Sequence, residues 1–334
     1  MNILFTLPNA TKKTSGNWAT ANRLSKGLKT YGNNISINIL EVGEVDRKDI
    51  LWADVVHCFH LLKTFLLLQD YFNNTKLQRR WIVSFTGTDL ELLKTTDNQS
   101  DIISLLEKTQ GVVVFHEKAR EELISLNIRG SLIKVIPQSP NNFPKQELMD
   151  MRSVWGVKKD EILFLLAGGI RSVKNPLRAV KLLKAIADKR AIKLIMIGPI
   201  LEEEAWISLR QELQSLPWIS YQGEIEHSLM AAAYQAADVV LNTSDSEGMP
   251  NTLLEAMQFQ KPLLGYNNKG NAAIIKHEIN GFLYNNQEEF TRYALQLIDN
   301  RGLASEMGAR GKELLLNSTL EREAGMYIEL YTKI

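Results

Sequence analysis

Short apolar runs rich in β-branched residues alternate with segments of helical period along the whole chain, and this alternation narrows the fold more than any other feature. It is the pattern of a parallel sheet covered by helices on both faces. The runs fall at 3–7, 35–40, 55–59, 81–85, 111–115 and 132–136 in the first half, and at 162–167, 193–197, 219–222, 239–242 and 262–266 in the second. Helical segments at 175–188, 205–216 and 228–237 separate the later runs. Between the two sets, Pro137-Gln138-Ser139-Pro140-Asn141-Asn142-Phe143-Pro144 places three of the nine prolines within eight residues, which breaks both strand and helix. At 334 residues the chain has length for two domains of ordinary size. The expectation is therefore an α/β protein of two Rossmann-like domains, 1–140 and 150–316. The last segment, 317–334, sets Leu320, Ala324, Tyr327, Ile328 and Tyr331 on one helical face. That face needs a hydrophobic surface, and the first domain is the expected one.

Charge and cysteine content exclude several functions. With 39 basic and 38 acidic residues the formal net charge is +1, too small to steer the chain to nucleic acid or anionic lipid. One cysteine, Cys58, excludes an internal disulfide and suits a reducing compartment. The first residues lack the features of a secretory signal, and no run approaches the ~18 apolar residues of a membrane span. A cytoplasmic protein is expected. Lys76-Leu77-Gln78-Arg79-Arg80-Trp81 mixes cations with an aromatic, as segments touching lipid headgroups do, but a solvated helix face accounts for it better.

The most informative stretch runs from Ala236 to Met257 and contains Asn242-Thr243-Ser244-Asp245-Ser246-Glu247-Gly248-Met249-Pro250-Asn251-Thr252-Leu253-Leu254-Glu255. A buried strand passes through a small polar loop into a helix that starts near Pro250 or Asn251, with Pro250 suited to the first helical position. The helix N-terminus then opens at the strand's carboxyl end, where the amides of Asn251, Thr252 and Leu253 would face a diphosphate. Glu247 and Glu255 flank that place. Carboxylates do not favour phosphates, so each is expected to accept a hydrogen bond from a hydroxyl, one from a sugar and one from a ribose. The plainer alternative makes Glu247 a partner of the helix dipole and Glu255 a solvated helix residue.

A second signal is Ala167-Gly168-Gly169-Ile170-Arg171-Ser172-Val173-Lys174-Asn175-Pro176, a strand ending in two glycines followed by a guanidinium and an ammonium. Arg171 and Lys174 can reach one diphosphate together and neutralise a leaving group without a metal ion. Two solvated cations are the alternative. After the first strand, Thr11-Lys12-Lys13-Thr14-Ser15-Gly16-Asn17 holds no dinucleotide or nucleotide-triphosphate motif. Gly16 permits backbone approach to a phosphate, and an ordinary helix-initiating turn explains it equally well. His57 and His60 have the spacing of a zinc pair but no further ligand at a fitting distance, so core or loop histidines are the better reading. Asp245-Ser246-Glu247 resembles an Asp-x-Asp metal clamp, yet its place before a helix favours phosphate chemistry, and no metal or cofactor is expected.

These residues resemble family 4 of the retaining GT-B glycosyltransferases over almost the whole length, most strongly from Ala236 to Gly281. The shared elements are the Glu-x7-Glu pair Glu247 and Glu255, Lys261-Pro262-Leu263-Leu264, Gly270-Asn271 and Asn280-Gly281-Phe282-Leu283. In detail the chain is similar to the glycosyltransferase 1 domain-containing subgroup, through Ser15-Gly16-Asn17, Thr86-Gly87-Thr88-Asp89 and the segment from Gly270 to Glu278; selenosugar synthases share the Gly-Asn and Thr-Gly-Thr-Asp elements. The resemblance implies a hexosyltransferase in which Arg171 and Lys174 grip the diphosphate, Glu255 holds the ribose and Glu247 lies beside the transferred sugar. Many members carry a histidine before glycine where this chain has Phe85-Thr86-Gly87, so Thr86 replaces a sugar-contacting histidine. The spacing from Arg171 to Lys174 is also shorter than in many relatives.

The combined expectation is a GT-B protein whose parallel sheets face a central cleft, with the C-terminal helix crossing back to the N-terminal domain. The C-terminal domain would bind a nucleotide-sugar donor, UDP-sugar favoured from the family, through Gly16, Asn17, Gly169, Arg171, Lys174, Ile225, Glu247, Gly248, Met249, Asn251, Thr252, Leu253 and Glu255. Arg171, Lys174 and Glu247 would carry the chemistry. His57, His60, Thr86 and Asp89 are the candidates for the acceptor or donor-sugar side. Front-face attack keeps the anomeric configuration, and the departing phosphate can take the acceptor's proton, so no general base is required. An idle nucleotide-sugar-binding module, a transferase to a thiol or selenium acceptor, and a nucleotide-sugar epimerase are the rivals.

Overall fold

The computed structural model describes residues 1–8, 15–32, 34–74, 79–143 and 149–333. Thr11 to Thr14, Lys76 to Gln78 and Pro144, each part of a stretch singled out in the sequence, lie outside the described residues. The chain divides into two compact units, Met1–Asn141 with Asn317–Ile334, and Asn142–Leu316.

The first unit holds strands β1 (Asn2–Leu7), β2 (Ser36–Glu41), β3 (Val55–Phe59), β4 (Arg80–Ser84), β5 (Gly111–Val114) and β6 (Ile133–Val135). All pair in parallel in the order β2-β1-β3-β4-β5-β6. Successive residues of a strand point to opposite faces. One face of β3, with Val56 and Cys58, joins a core that includes Leu4, Trp81, Val83 and Val112. His57, on the other face, stacks with Phe59 and meets Tyr327 and Tyr331 of the last helix, Leu320–Lys333.

That helix covers the first sheet because its buried positions Ala324, Tyr327, Leu330 and Tyr331 form one stripe. It also packs closely on helix Gly16–Lys29, where Gly27 leaves room: a Cβ there would stand 2.8 Å from the Leu320 side chain. Beneath the contact, the guanidinium of Arg23 donates to both carboxylate oxygens of Glu323 at 3.2 and 3.1 Å, to Asn141 Oδ1 and to Gln138 Oε1. Ser139 adds its amide and hydroxyl to Glu323 Oε2. The charges are 4% and 2% exposed, so the ion pair survives burial only because neighbouring polar groups complete its hydrogen bonding.

The second unit holds β7 (Ile162–Ala167), β8 (Ile192–Ile197), β9 (Ile219–Tyr221), β10 (Val239–Asn242), β11 (Leu263–Tyr266) and β12 (Gly281–Tyr284), again all parallel, in the order β12-β11-β10-β7-β8-β9. Leu194, Met196, Val239 and Leu241 enter one core, while Leu163, Leu165, Ile195 and Val240 enter another on the opposite face. Apolar burial on both faces is what continuous aliphatic runs specify. The chain moves outward from β7 to β9 and then returns to lay β10 beside β7, which makes the carboxyl ends of β7 and β10 the point where strand order reverses. Strand β12 has no counterpart among the expected runs, because it is four residues long and starts at a glycine. Among the described residues no helix is long and apolar enough to cross a membrane.

Candidate active site

At the reversal point of the second sheet, loops after β7 and β10 are laced together. Thr243 Oγ1 donates to the carbonyls of Lys174 and Asn175 at 3.1 and 3.0 Å, and the Asp245 amide donates to Val173 O at 2.8 Å. Asn175 adopts a left-handed conformation, φ 47°, and caps helix Pro176–Ala187 by accepting from the Arg178 amide. Arg178 then donates to Thr243 O and Asp245 Oδ1, with its guanidinium 4.0 Å over the Tyr266 ring. The result is a braced platform on which Lys174 and Glu247, 73 residues apart, meet at 2.6 Å.

Glu247 Oε1 receives three donors: Lys174 Nζ, Ser244 Oγ at 2.6 Å and Asn242 Nδ2 at 3.1 Å. Burial alone would push this carboxyl's pKa up, but the Lys174 charge and these hydrogen bonds outweigh it and hold the pKa below the ordinary value. Glu247 is thus a buried, ionised carboxylate. Gly270 permits the arrangement, since a Cβ there would stand 2.5 Å from the Glu247 carbonyl oxygen. Asn271, fully buried, donates to Asn242 Oδ1 and Tyr266 O, and Asn268 donates to Ser244 O. A pocket lined by Gly168, Gly169, Lys174, Pro176, Asn242 and Ser244 lies here. Arg171 precedes the turn that carries Lys174, and its buried Nε has no hydrogen-bond partner.

Helix Asn251–Gln258 begins one residue later than a proline at the first helical position requires: Pro250 is the N-cap, with extended φ −71° and ψ 112°. Its carbonyl accepts from the Leu253 amide at 3.1 Å. Leu253, expected to offer its amide to an anion, is therefore engaged and fully buried, while Asn251 and Thr252 are half-buried in the first turn. Glu255 is not a solvated helix residue: it is 5% exposed and accepts from the buried Tyr234 hydroxyl at 2.6 Å. Gly248 and Met249 are half-buried in the loop, with Met249 packed on the core. Ile225 packs there too, after Gly223, whose carbonyl accepts from the Gly198 amide.

The first-unit candidates divide. His57 is fully buried, its Nδ1 2.6 Å from Tyr331 Oη and its Nε2 2.7 Å from Ser84 Oγ, and burial pulls its pKa down to about 3. With both nitrogens occupied it reaches no ligand; it belongs to the core. His60 instead sits just beyond the carboxyl end of β3, with Nδ1 2.5 Å from Asp89 Oδ1, and Thr86 donates its amide to Asp89 Oδ2 at 2.8 Å. Gly16 and Asn17 open helix Gly16–Lys29, whose N-cap Ser15 accepts from the Trp18 amide, so they occupy an ordinary helix start. The carboxylates of the metal-clamp pattern are each held by a cation, Asp245 by Arg178 and Glu247 by Lys174. Among the described residues no group of three or more His, Cys, Asp or Glu side chains forms a metal-holding set.

Residues 149–314, nearly the whole second unit, match the profile of the glycosyl transferases group 1. The chain is a glycosyltransferase that carries the group 1 domain. The transferase is 26% identical over 256 residues to the glycosyltransferase 1 domain-containing protein 1 of Xenopus tropicalis, covering 73% of each chain. It spans about half the length of two other curated glycosyltransferases that it matches. Among solved structures, Anabaena HepE in complex with UDP and glucose superposes with a TM-score of 0.81 at 16% identity over the full length of both chains. The sucrose-phosphate synthase of Thermosynechococcus elongatus gives 0.81 at 16% identity, covering 100% and 98%. These likenesses establish the GT-B fold.

Sequence reasoning passed over the groups that brace the transferase's site: Asn242, Ser244, Asn268, Tyr234 and Arg178. Asn242 and Ser244 carried a legible signal, as polar residues ending an otherwise aliphatic strand. Arg178 and Tyr234 carried none, since each has the spacing of an ordinary helix position.

Proposed function

We propose that the transferase moves a hexosyl group from a nucleoside diphosphate sugar, a UDP-sugar by preference, to an acceptor with retention of configuration and without a metal ion. The observation that carries this reading is the Lys174–Glu247 pair on the braced loops at the carboxyl ends of β7 and β10. An ammonium has three donors, and Lys174 spends one on Glu247, which leaves two for a phosphate. Arg171 brings a buried Nε without a partner, and the first turn of helix Asn251–Gln258 adds its partial positive charge. Together these groups would stabilise charge growing on a leaving diphosphate. Glu247, kept ionised, accepts a sugar hydroxyl, and Glu255, a carboxylate beside the same helix start, suits a ribose hydroxyl. HepE is solved with UDP and glucose, which supports uracil and a hexose as the first donor to try.

Calorimetry with UDP, ADP and GDP in excess chelator tests the donor reading, followed by UDP release from UDP-glucose in Arg171→Ala and Lys174→Ala. UDP is expected to bind within the range of about 1 μM to 1 mM typical of enzyme ligands and each variant to lose about tenfold or more. Wild-type turnover in both variants would remove the assignment, and strict dependence on added metal would remove the mechanism. A panel of hydroxyl and thiol acceptors separates a sugar or alcohol acceptor from a thiol one.

A further inference from the structure

The second unit holds a further polar cluster, at the opposite edge of its sheet from the loops that carry Lys174 and Glu247. A cavity of about 620 Å³ opens at the amino ends of β7, β8, β10 and β11, with Arg152, Ile162, Ala191, Asp238, Lys261 and Arg301 in its lining. The six residues of β7, rising about 3.3 Å each, separate it from the glycines that follow that strand. Lys261 heads the Lys261-Pro262-Leu263-Leu264 motif, which the donor reading leaves unused.

Three cations in this lining surround one carboxylate. Asp238 Oδ2 accepts from the Leu163 amide at 2.7 Å and from Arg152 at 2.9 Å, and Arg301 donates to Oδ1. Burial pushes this carboxyl's pKa up, but the Leu163 amide and the two guanidiniums outweigh it and hold the pKa below the ordinary value. Arg152 is spent on the fold, since its other bonds go to the carbonyls of Ala236, Lys158 and Glu161. Arg301 and Lys261 are not spent. The Arg301 guanidinium bonds only Asp238 among the described residues, and its side chain is 52% exposed. Lys261 Nζ donates once, to Gln235 O at 2.9 Å, which leaves two of its three protons.

The chain holds Lys261 there against opposing costs. It follows Gln260, whose φ of 54° is left-handed, and a Cβ on Gly308 of helix Arg301–Leu314 would stand 1.8 Å from the Gln260 carbonyl oxygen. Burial lowers the Lys261 pKa, and the charges of Arg301 and Arg152 lower it further against the pull of Asp238. Of the other charged groups in the lining, Arg190 is paired with Asp299, and Lys159, Asp160 and Glu161 together carry one negative charge. That is short of the two positive charges left over around Asp238.

We propose that this cavity binds a soluble phosphomonoester, with the phosphate dianion held by Lys261 Nζ and the unbonded edge of the Arg301 guanidinium. Spare ammonium protons and a planar guanidinium fork are the donors that phosphate oxygens take. A dianion cancels the local excess, and the volume lies within the range of about 300–1,000 Å³ that accepts a small organic body. The inference stands apart from the donor reading and shares no residue with it.

Calorimetry of the full-length protein with methyl phosphate tests it, with dimethyl phosphate as the singly charged control, at about pH 7.5 where a monoester is mostly dianionic. Methyl phosphate is expected to bind with a Kd below about 1 mM at ~0.15 M salt, and dimethyl phosphate at least about tenfold more weakly. Lys261→Met and Arg301→Met should each weaken methyl phosphate by about tenfold or more. Asp160→Asn should tighten it about twofold by removing a nearby negative charge, an effect that a loosened fold does not produce. No binding to the wild type up to about 10 mM, or equal affinity for the two esters, overturns the proposal. So does binding that Lys174→Met abolishes and the Lys261 and Arg301 variants keep, which would place the phosphate on the donor loops. Retention on phosphatidic acid vesicles without methyl phosphate binding also overturns it, because the headgroup would then be read at a membrane. Methyl phosphate binding that depends on Lys261 in a protein that does not bind UDP supports this site and sinks the donor reading alone.

Discussion

Acidification should destabilise the first unit through one side chain. His57 is fully buried, and burial lowers its pKa from 6.5 to about 3. The folded state therefore keeps the ring neutral where the unfolded chain protonates it. Its stabilising contribution is complete above pH ~6.5 and falls as pH drops from there toward about 3, because the unfolded state takes up the extra proton. Each pH unit in that window is worth about 1.4 kcal/mol, so pH 5 costs about 2 kcal/mol relative to pH 7.5. Complete burial means solvent does not screen the effect. Other titrating groups contribute to the same slope, and a His57→Gln variant keeps them while removing the ring. Hydrogen exchange of the Val55–Phe59 strand as a function of urea, at pH 7.5 and pH 5, reads the unit that contains it. Wild type should lose about 2 kcal/mol more protection than the variant on acidification. Equal losses in the two proteins would refute the reasoning, since they would mean that His57 carries a proton in the folded state at pH 5.

Further outcomes follow from single contacts. Gly270→Ala places a Cβ 2.5 Å from the Glu247 carbonyl oxygen, so the loop must shift, and UDP affinity measured by calorimetry should fall by about tenfold or more. Lys174→Met removes the cation from Glu247 and leaves it Ser244 and Asn242; urea melts should show about 2 kcal/mol lost, less than for a fully buried pair because Lys174 keeps a quarter of its side chain in water. Arg23→Met leaves Glu323 buried without its cation and should cost about 3–5 kcal/mol, whereas the double variant with Glu323→Leu should recover much of it, as thermal unfolding would register. Cys58 is buried, and burial pushes its thiol pKa up to about 12, so an aqueous disulfide reagent should label it only after denaturant is added.

The fold was legible because its signals are local. All eleven expected apolar runs are strands, with ends moved by a residue or so, since β-branched aliphatic runs have few other places to go than a sheet buried on both faces. The twelfth strand escaped because Gly281 at its head weakens strand patterning, and its pairing with β11 supplies what propensity does not. The helix start near Pro250 was visible to within a residue, but which amides the first turn consumes depends on the N-cap conformation, which no sequence pattern specifies. His57 and His60 show the limit most clearly. They are three residues apart in one sequence motif, yet one points into the core with both nitrogens occupied and the other stands beside Asp89 at the carboxyl end of β3.

Strand alternation, the proline-rich break and the polar loop leading into a helix are properties of neighbouring residues, and from them the order of elements, the two-part organisation and the carboxyl-end location of the loops after β7 and β10 followed directly. Pairings across long separations belong to the tertiary structure alone: Lys174 with Glu247, Arg23 with Glu323, His60 with Asp89, and Tyr331 with His57. Each is a charge or dipole whose behaviour is set by the partner it meets and by how much water it loses, and both depend on how whole sheets and helices pack rather than on any local run of residues.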